Sequence, residues 1–293
     1  LPAFSWAGAF QWHKVEDAHG LVVFDISGQG SQYVVYGSDW DKGLFVSHDG
    51  GEHFKYMASG LADTSTYAVD VISKNVALAG RDGGVYRTTD GARHWRVAAS
   101  SDGSIQWMVS AITHKGSVVY DAASGNIYRS NNAGKTWREL APTLGFGATI
   151  TAIVMVNANT VYVGDANELS LTVNGGKSWQ DVKGFNPMTV ADLLLDKGQL
   201  FVAQGQYGLS VLNVKTGQDH MITKGLPKNT YVDSLAKGDA THLFLGTHYG
   251  DVYESDDSGV TWHKIASRLA GRYSIKTLYA PSAHVVYAGV YAG

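Results

Sequence analysis

Aromatic, charged and amide side chains gather in a few short polar segments of this sequence. Trp40 and Asp41 stand in Gly37-Ser-Asp-Trp-Asp-Lys42, and Arg81 opens Arg81-Asp-Gly-Gly84. Tyr207 ends Gln204-Gly-Gln-Tyr207, and His248 and Tyr249 fall in Thr247-His-Tyr-Gly-Asp251, while Trp107 and Arg272 lie in other connections. Flat aromatic faces beside hydrogen-bonding groups suit a sugar, a peptide or a protein loop. These residues are the candidate ligand-binding set. Trp40 and Tyr249 lead it, because neighbouring copies of the same loop carry small residues there. Asp39, Asp41, Asp82, Asp165, Glu168 and Asp251 add carboxylates to the same segments. Two of them about 5–10 Å apart would be able to hydrolyse a glycosidic bond. Spacing alone assigns no catalytic residue.

Other chemistries find little support. The chain has no cysteine, which removes disulfides, thiolate metal sites and a cysteine nucleophile. Its 11 histidines form no His-Glu-x-x-His pair, and no metal is expected. Asp25, Asp70, Ser110, Asp192 and Asp233 recur at similar places in successive apolar runs and would form a polar ring about a central axis, where oxygen ligands hold water or a hard cation. Gly28-Gln-Gly-Ser-Gln-Tyr33 lacks the third glycine of a dinucleotide fingerprint, so no cofactor is expected. With 23 Lys+Arg against 26 Asp+Glu the net charge is −3, which gives no electrostatic footprint for nucleic acid. No apolar run approaches the ~18 residues of a membrane helix.

The elements that must position these loops come from a repeat. Ser47-His-Asp-Gly-Gly-Glu-His-Phe54, Thr88-Thr-Asp-Gly-Ala-Arg-His-Trp95, Ser130-Asn-Asn-Ala-Gly-Lys-Thr-Trp137, Thr172-Val-Asn-Gly-Gly-Lys-Ser-Trp179 and Ser255-Asp-Asp-Ser-Gly-Val-Thr-Trp262 share one pattern: hydroxyl, Asp or Asn, glycine, aromatic. The closing aromatics are 41, 42, 42 and 83 residues apart, the last being two periods. Met221 closes a copy that lost the motif, and Trp12 closes a decayed one, Ser5-Trp-Ala-Gly-Ala-Phe-Gln-Trp12. Each period carries short apolar runs of strand length, as in Ala148–Val156 and Asn159–Gly164. Four short strands in roughly 40–45 residues predict a β-propeller blade. The sequence therefore predicts an all-β, seven-bladed β-propeller of four-stranded antiparallel blades, one domain over residues 1–293. Residues 1–15 are expected to complete the blade begun after Trp262, closing the ring with N- and C-terminal strands. In each motif the polar side chains hold a turn and glycine supplies positive φ, while the aromatic is expected to pack on the next blade.

The five copies resemble Asp-box (BNR) repeats, and the register covers essentially the whole chain. Such repeats occur in sialidases, two-propeller xyloglucanases, sortilin-type receptors and Ycf48/HCF136-like assembly factors. Sialidases need an early arginine in an Arg-Ile-Pro-type motif; here the first arginine is Arg81 and no Arg-Ile-Pro occurs. Xyloglucanases place their carboxylates between two propellers, and this chain makes one. Sortilin-type receptors carry cysteine-rich modules. The chain is most similar to the Ycf48/HCF136-like single-propeller group, which implies binding, although the arginine-rich patch of that group's docking face is missing. The expected function is a non-catalytic binding or assembly-scaffold propeller with a protein or carbohydrate partner on its loop face. A glycan-active enzyme, a hydrolase or lyase using loop carboxylates, is the alternative. A monomer is expected. The start at Leu1 without methionine fits a removed leader and, with the exported relatives, predicts a secreted or periplasmic protein.

Overall fold

The computed structural model describes residues 23–29, 34–39, 43–50, 52–57, 59–61, 65–100, 108–123, 125–140, 149–185, 189–269, 271 and 273–291. Strand is the only regular structure among them. The first sheet is β1 (Val23–Gln29), β2 (Val34–Asp39), β3 (Gly43–Ser47) and β4 (Lys55–Tyr56). The second is β5 (Thr66–Ser73), β6 (Val76–Arg81), β7 (Gly84–Thr88) and β8 (Trp95–Val97). A short β9 (Ala99–Ser100) pairs parallel to the outer strand of the third sheet, β10 (Val109–Lys115), β11 (Val118–Ala123), β12 (Asn126–Ser130) and β13 (Thr136–Leu140). The fourth holds β14 (Ala152–Met155), β15 (Val161–Gly164), β16 (Leu169–Thr172) and β17 (Gln180–Asp181). The fifth holds β18 (Asp192–Asp196), β19 (Gln199–Ala203), β20 (Leu209–Asn213) and β21 (Asp219–Ile222). The sixth holds β22 (Val232–Lys237), β23 (Leu243–Thr247), β24 (Val252–Ser255) and β25 (His263–Ala266). The last sheet has only β26 (Ser274–Ser282) and β27 (Val285–Tyr291).

The described residues thus form an all-β propeller of six four-stranded antiparallel blades plus a two-stranded sheet, where seven full blades were expected. β26 lies against β22 on one side and β1 on the other. The strands expected to finish this sheet fall on residues 1–15, outside the described residues.

Second strands explain why the apolar runs do not alternate. β23 is buried at all five positions, and β6, β11 and β19 at all but their first. Both faces of each blade are covered by its neighbours, so both parities must be apolar. Fourth strands are short and exposed, as in β4 and β17, which limits edge pairing.

The repeated motif is one turn built five times. The Ser or Thr hydroxyl donates to the Asp or Asn carboxyl or amide oxygen two residues on, at 2.7 Å for Ser47–Asp49 and 3.0 Å for Thr172–Asn174. That oxygen accepts the backbone N–H four residues later, from His53, His94, Thr136, Ser178 and Thr261 in turn. Two consecutive residues adopt positive φ, such as Gly175 (73°) and Gly176 (82°), or Ala92 (70°) where the motif departs from glycine. A Cβ on Gly134, Gly176 or Gly259 would lie 2.6, 2.2 or 2.3 Å from Leu78, Leu140 or Phe201, all on the preceding blade.

The closing aromatic also packs backwards, correcting the expectation of contact with the next blade. Trp95 clusters with Val34, Tyr36, Leu44 and Val46 of the first blade, and its Nε1 donates to Met57 O at 3.0 Å. Trp137, Trp179 and Trp262 repeat the arrangement on the second, third and fifth blades. The cause is the glycine contact, which presses the turn onto the earlier sheet and carries the aromatic with it. In the fifth blade the motif is replaced by a hairpin in which Asn213 Oδ1 accepts from the N–H groups of Lys215 and Thr216. Met221 is consequently 48% exposed.

Gly176→Ala should therefore destabilise the chain by about 2–4 kcal/mol, combining left-handed strain with overpacking on Leu140. Urea denaturation measures this, and a loss below about 0.5 kcal/mol would refute the docking role, being no more than an ordinary surface substitution produces.

Candidate functional site

First strands run along the central channel, and two kinds of polar arrangement form on them. Within the channel, side chains tie successive sheets together from the second blade to the β26–β27 sheet. Ser110 Oγ donates to Ile150 O at 2.7 Å, Thr151 Oγ1 donates to Val190 O, and Ser234 Oγ donates to Ile275 O at 2.7 Å. Asp192 Oδ2 accepts from Leu235 N at 2.7 Å, and Asp70 Oδ2 pairs with His114 Nδ1 at 2.7 Å. The acids expected to ring the axis are thus engaged as inter-blade ties; the side chain of Asp25 is outside the described residues. Burial pushes the Asp192 carboxyl up to about 6, against the opposing pull of the Leu235 and Leu193 N–H groups and the Lys276 charge. For His114, burial disfavours the cation, but the Asp70 hydrogen bond and charge prevail and raise it above its ordinary value. A cavity of about 460 Å³ opens between these strands, with Tyr67, Ser110, Thr151, Asp192 and Lys276 contributing its polar groups.

The second arrangement lies on the loop face. Asp233, at the start of β22, and His248, just after β23, pair through Oδ2 and Nδ1 at 3.0 Å. Ser274 Oγ donates to the same carboxylate oxygen at 2.5 Å from β26. The His248 ring stacks on Tyr231 with centroids 4.5 Å apart, and Tyr249 meets it edge-on at 5.2 Å. Gly205, with φ of 54°, exchanges backbone hydrogen bonds with Val232, and a Cβ there would lie 3.0 Å from the Tyr231 ring, so the loop carrying Tyr207 is held close to it. Tyr207, Tyr249 and Tyr273 are 47%, 59% and 46% exposed on these connections.

Serine, histidine and aspartate meet here without forming a nucleophile system. The aspartate stands in the middle, so His248 bonds the carboxylate rather than the buried Ser274 hydroxyl, and the serine–histidine contact of a triad is not made. With Nδ1–H bonded to Asp233, Nε2 of His248 is the ring nitrogen left for a ligand. The patch offers stacked rings and one oriented imidazole, which is recognition chemistry.

Of the candidates from sequence, His248 and Tyr249 come together, and Tyr207 sits exposed on the adjoining loop. Trp40, Asp41, Trp107 and Arg272 lie outside the described residues. Arg81 is inside the fold at 1% exposure, its guanidinium 5.5 Å from the centre of the Tyr86 ring. The position after the second-strand glycine is buried in other blades too, as Ser38, Asp165 and Thr247 show, and so is Gln204 after Ala203 in the fifth, so Arg81 leaves the loop-face set. Asp165 is likewise buried and caps its own turn, accepting from the N–H groups of Asn167 and Glu168.

The Asp233–His248 pair escaped sequence reasoning, yet a signal existed. Tyr67 OH donates to Asp82 in the second blade at 3.0 Å. Both pairs occupy the same repeat positions, thirteen residues before and two after Gly80 or Gly246. Aligning loops by that glycine brings the partners together.

No protein-family model matches the sequence, and no curated protein matches it. Solved structures do resemble it in fold. YCF48 bound to D1 peptide superposes with a TM-score of 0.79 at 14% identity, covering 98% of this chain and 94% of that one. YCF48 from Cyanidioschyzon merolae gives 0.72 at 16% identity, covering 98% and 97%. The GH74 xyloglucanase from Xanthomonas campestris gives 0.71 at 15% identity, covering 87% of this chain but 46% of the enzyme. The likeness extends to a propeller resembling YCF48, and at these identities it is one of fold alone.

One acid has no visible task. Asp121 lies within β11, fully buried, with no hydrogen-bond partner on either oxygen. It alternates with Tyr120 and Ala122 and shares the face of Val119 and Ala123, against the second blade. Burial pushes its carboxyl well above the usual range. The folded chain keeps a proton that the unfolded chain releases, so this group lowers stability progressively as pH rises above about 4. Asp121→Val, the residue at the matching place in β15 and β19, should add about 1–3 kcal/mol at neutral pH. The gain should shrink towards pH 4, and a melting-temperature series across pH for both proteins measures it.

Proposed function

We propose that this chain is a non-catalytic binding propeller that recognises a protein segment through the loop face of its fifth and sixth blades and the sheet that follows. The observation that carries this reading is the exposed Tyr249, His248 and Tyr231 stack, oriented from beneath by Asp233 and flanked by Tyr207 and Tyr273. Rigid aromatic rings with a polar tip are the usual anchors of protein recognition. The similar fold of a YCF48 bound to a peptide supports a protein ligand over a carbohydrate one. The setting we propose is secreted or periplasmic, as in most related Asp-box proteins.

A purified sample would be screened on peptide and glycan arrays beside Tyr249→Ala. Peptide binding should weaken at least about tenfold, or ~1.4 kcal/mol, without a change in melting temperature, because the side chain is exposed. One observation favours hydrolysis as a second reading. Burial, with Asp181 and Asp165 close by, raises the Glu168 carboxyl as a general acid requires. Release of reducing ends from a polysaccharide, abolished in Glu168→Gln, would overturn the binding reading.

We also propose that residues 1–15 complete a seventh blade on β27. Phe54 packs with Tyr279 and Tyr287, and Tyr287 OH donates to Gly50 O, so the first motif turn meets this sheet as the later turns meet their preceding blades. Deleting residues 1–15 should lower the melting temperature and expose the β27 edge to association, read by calorimetry and size-exclusion chromatography. An unchanged melting temperature would sink the closure.

A further inference from the structure

At the end of the sixth blade opposite the loop face, three histidines and two acids converge from separate turns and strands. Asp239 is held in the β22–β23 turn, where its Oδ1 accepts from the N–H groups of Thr241 and His242, each at 2.9 Å. The same oxygen pairs with His242 Nδ1 at 2.9 Å. An Nδ1–H bonded to a carboxylate leaves the Nε2 lone pair as the ligating atom, the orientation that carboxylate–histidine–metal arrangements use. His242 Nε2 faces Glu254 Oε1 at 3.9 Å, with the Glu254 side chain only 12% exposed.

That separation is too long for a hydrogen bond. It is modestly longer than the roughly 3.3 Å between a nitrogen and an oxygen ligand on one tetrahedral zinc ion, given bond lengths of about 2.0–2.1 Å. The His284 ring, on the β26–β27 turn, lies 6.4 Å from that of His242 at a tilt of 56°. His284 is exposed on that turn, and a bound metal would require its ring to turn a nitrogen towards the gap. His263 pairs across from Glu254 in the β24–β25 ladder and stands beside the same carboxylate.

We propose that His242, Glu254 and His284 form a binding site for a zinc-class divalent transition metal, with Asp239 as the positioning carboxylate behind His242. Two imidazoles and one carboxylate match the borderline preference of zinc and leave a fourth place for water or His263. The metal would clamp the sixth blade to the β26–β27 sheet, since His284 belongs to the latter. The competing address is Asp49, Glu52 and His53, whose ligand atoms lie within 4.8 Å of one another on the exposed first motif turn. There, Asp49 and His53 are already bonded to each other by the turn.

Zinc chloride would be titrated by calorimetry into the chelator-treated full chain, and cobalt substitution would be followed in the visible spectrum. The expected result is a single zinc equivalent, the intense bands of four-coordinate cobalt, and a raised melting temperature. Affinity should fall at least tenfold in His242→Ala, Glu254→Gln and His284→Ala, and about 10–100-fold in Asp239→Asn. It should be unchanged in His53→Ala. Metal-free melting curves of each variant separate lost binding from lost folding, and His284→Ala, on an exposed turn, keeps the test open if the others unfold. No saturable zinc binding, or binding that survives in His284→Ala and vanishes in His53→Ala, overturns the proposal.

Discussion

A blade of this protein has no side that water is meant to touch. Second strands are buried on both parities and largely apolar, so no sheet is stable until a neighbour covers each face. The device that enforces contact is the motif turn, whose second left-handed residue allows backbone to touch a leucine or phenylalanine of the preceding sheet. The closing tryptophan follows it into the same interface. The polar part of the motif makes the turn rigid, and the glycine and the aromatic make the rigid turn a docking tooth. The fold is therefore held by a directional chain of contacts, each blade gripping the one before it. Where the tooth is missing, in the fifth blade, four strands still form, because neighbours on both sides supply the grip.

The same constraint decides what polar groups do. Sheets that meet face to face leave little room for charge, so polar residues concentrate on first strands and at the two rims. In the channel, Ser110, Thr151, Asp192 and Ser234 satisfy backbone groups of the following blade. Acids that looked like a ligand ring are inter-blade hydrogen bonds, and Asp121 is the exception that the interface leaves without a partner. Rims are different. Their loops carry no obligation to the repeat, and there the chain places the Tyr231, His248 and Tyr249 stack on one end and the His242, Glu254 and His284 group on the other. The fold itself does not choose a function, since YCF48 and a GH74 xyloglucanase share it.

Much of the architecture was legible from sequence because the motif has a local cause. A hydroxyl, an Asp or Asn and a glycine at fixed spacing make the turn from bonds within eight residues, and the turn's recurrence sets the blade period. The direction of packing was not legible, since Trp95 looks the same whether it covers the first blade or the third. The site was legible only in part. Tyr249 stood out as a loop residue unlike its counterparts and His248 stood beside it in the candidate set, whereas the pairing of Asp233 with His248 and the burial of Arg81 were missed. Those errors share a cause: whether a residue beside a strand end points inward or outward depends on the twist and register of sheets whose order sequence spacing does not contain.

What the sequence by itself determined was the blade, its period and its turn chemistry, because those rest on backbone hydrogen bonds and φ preferences among near neighbours. What only the tertiary structure decided was which side chains meet. Asp233 finds His248 and Ser274, Asp192 finds Leu235, and His242 finds Glu254 through pairing across strands and blades. Such meetings are fixed by how sheets stack around an axis, a property of the whole ring rather than of any one repeat.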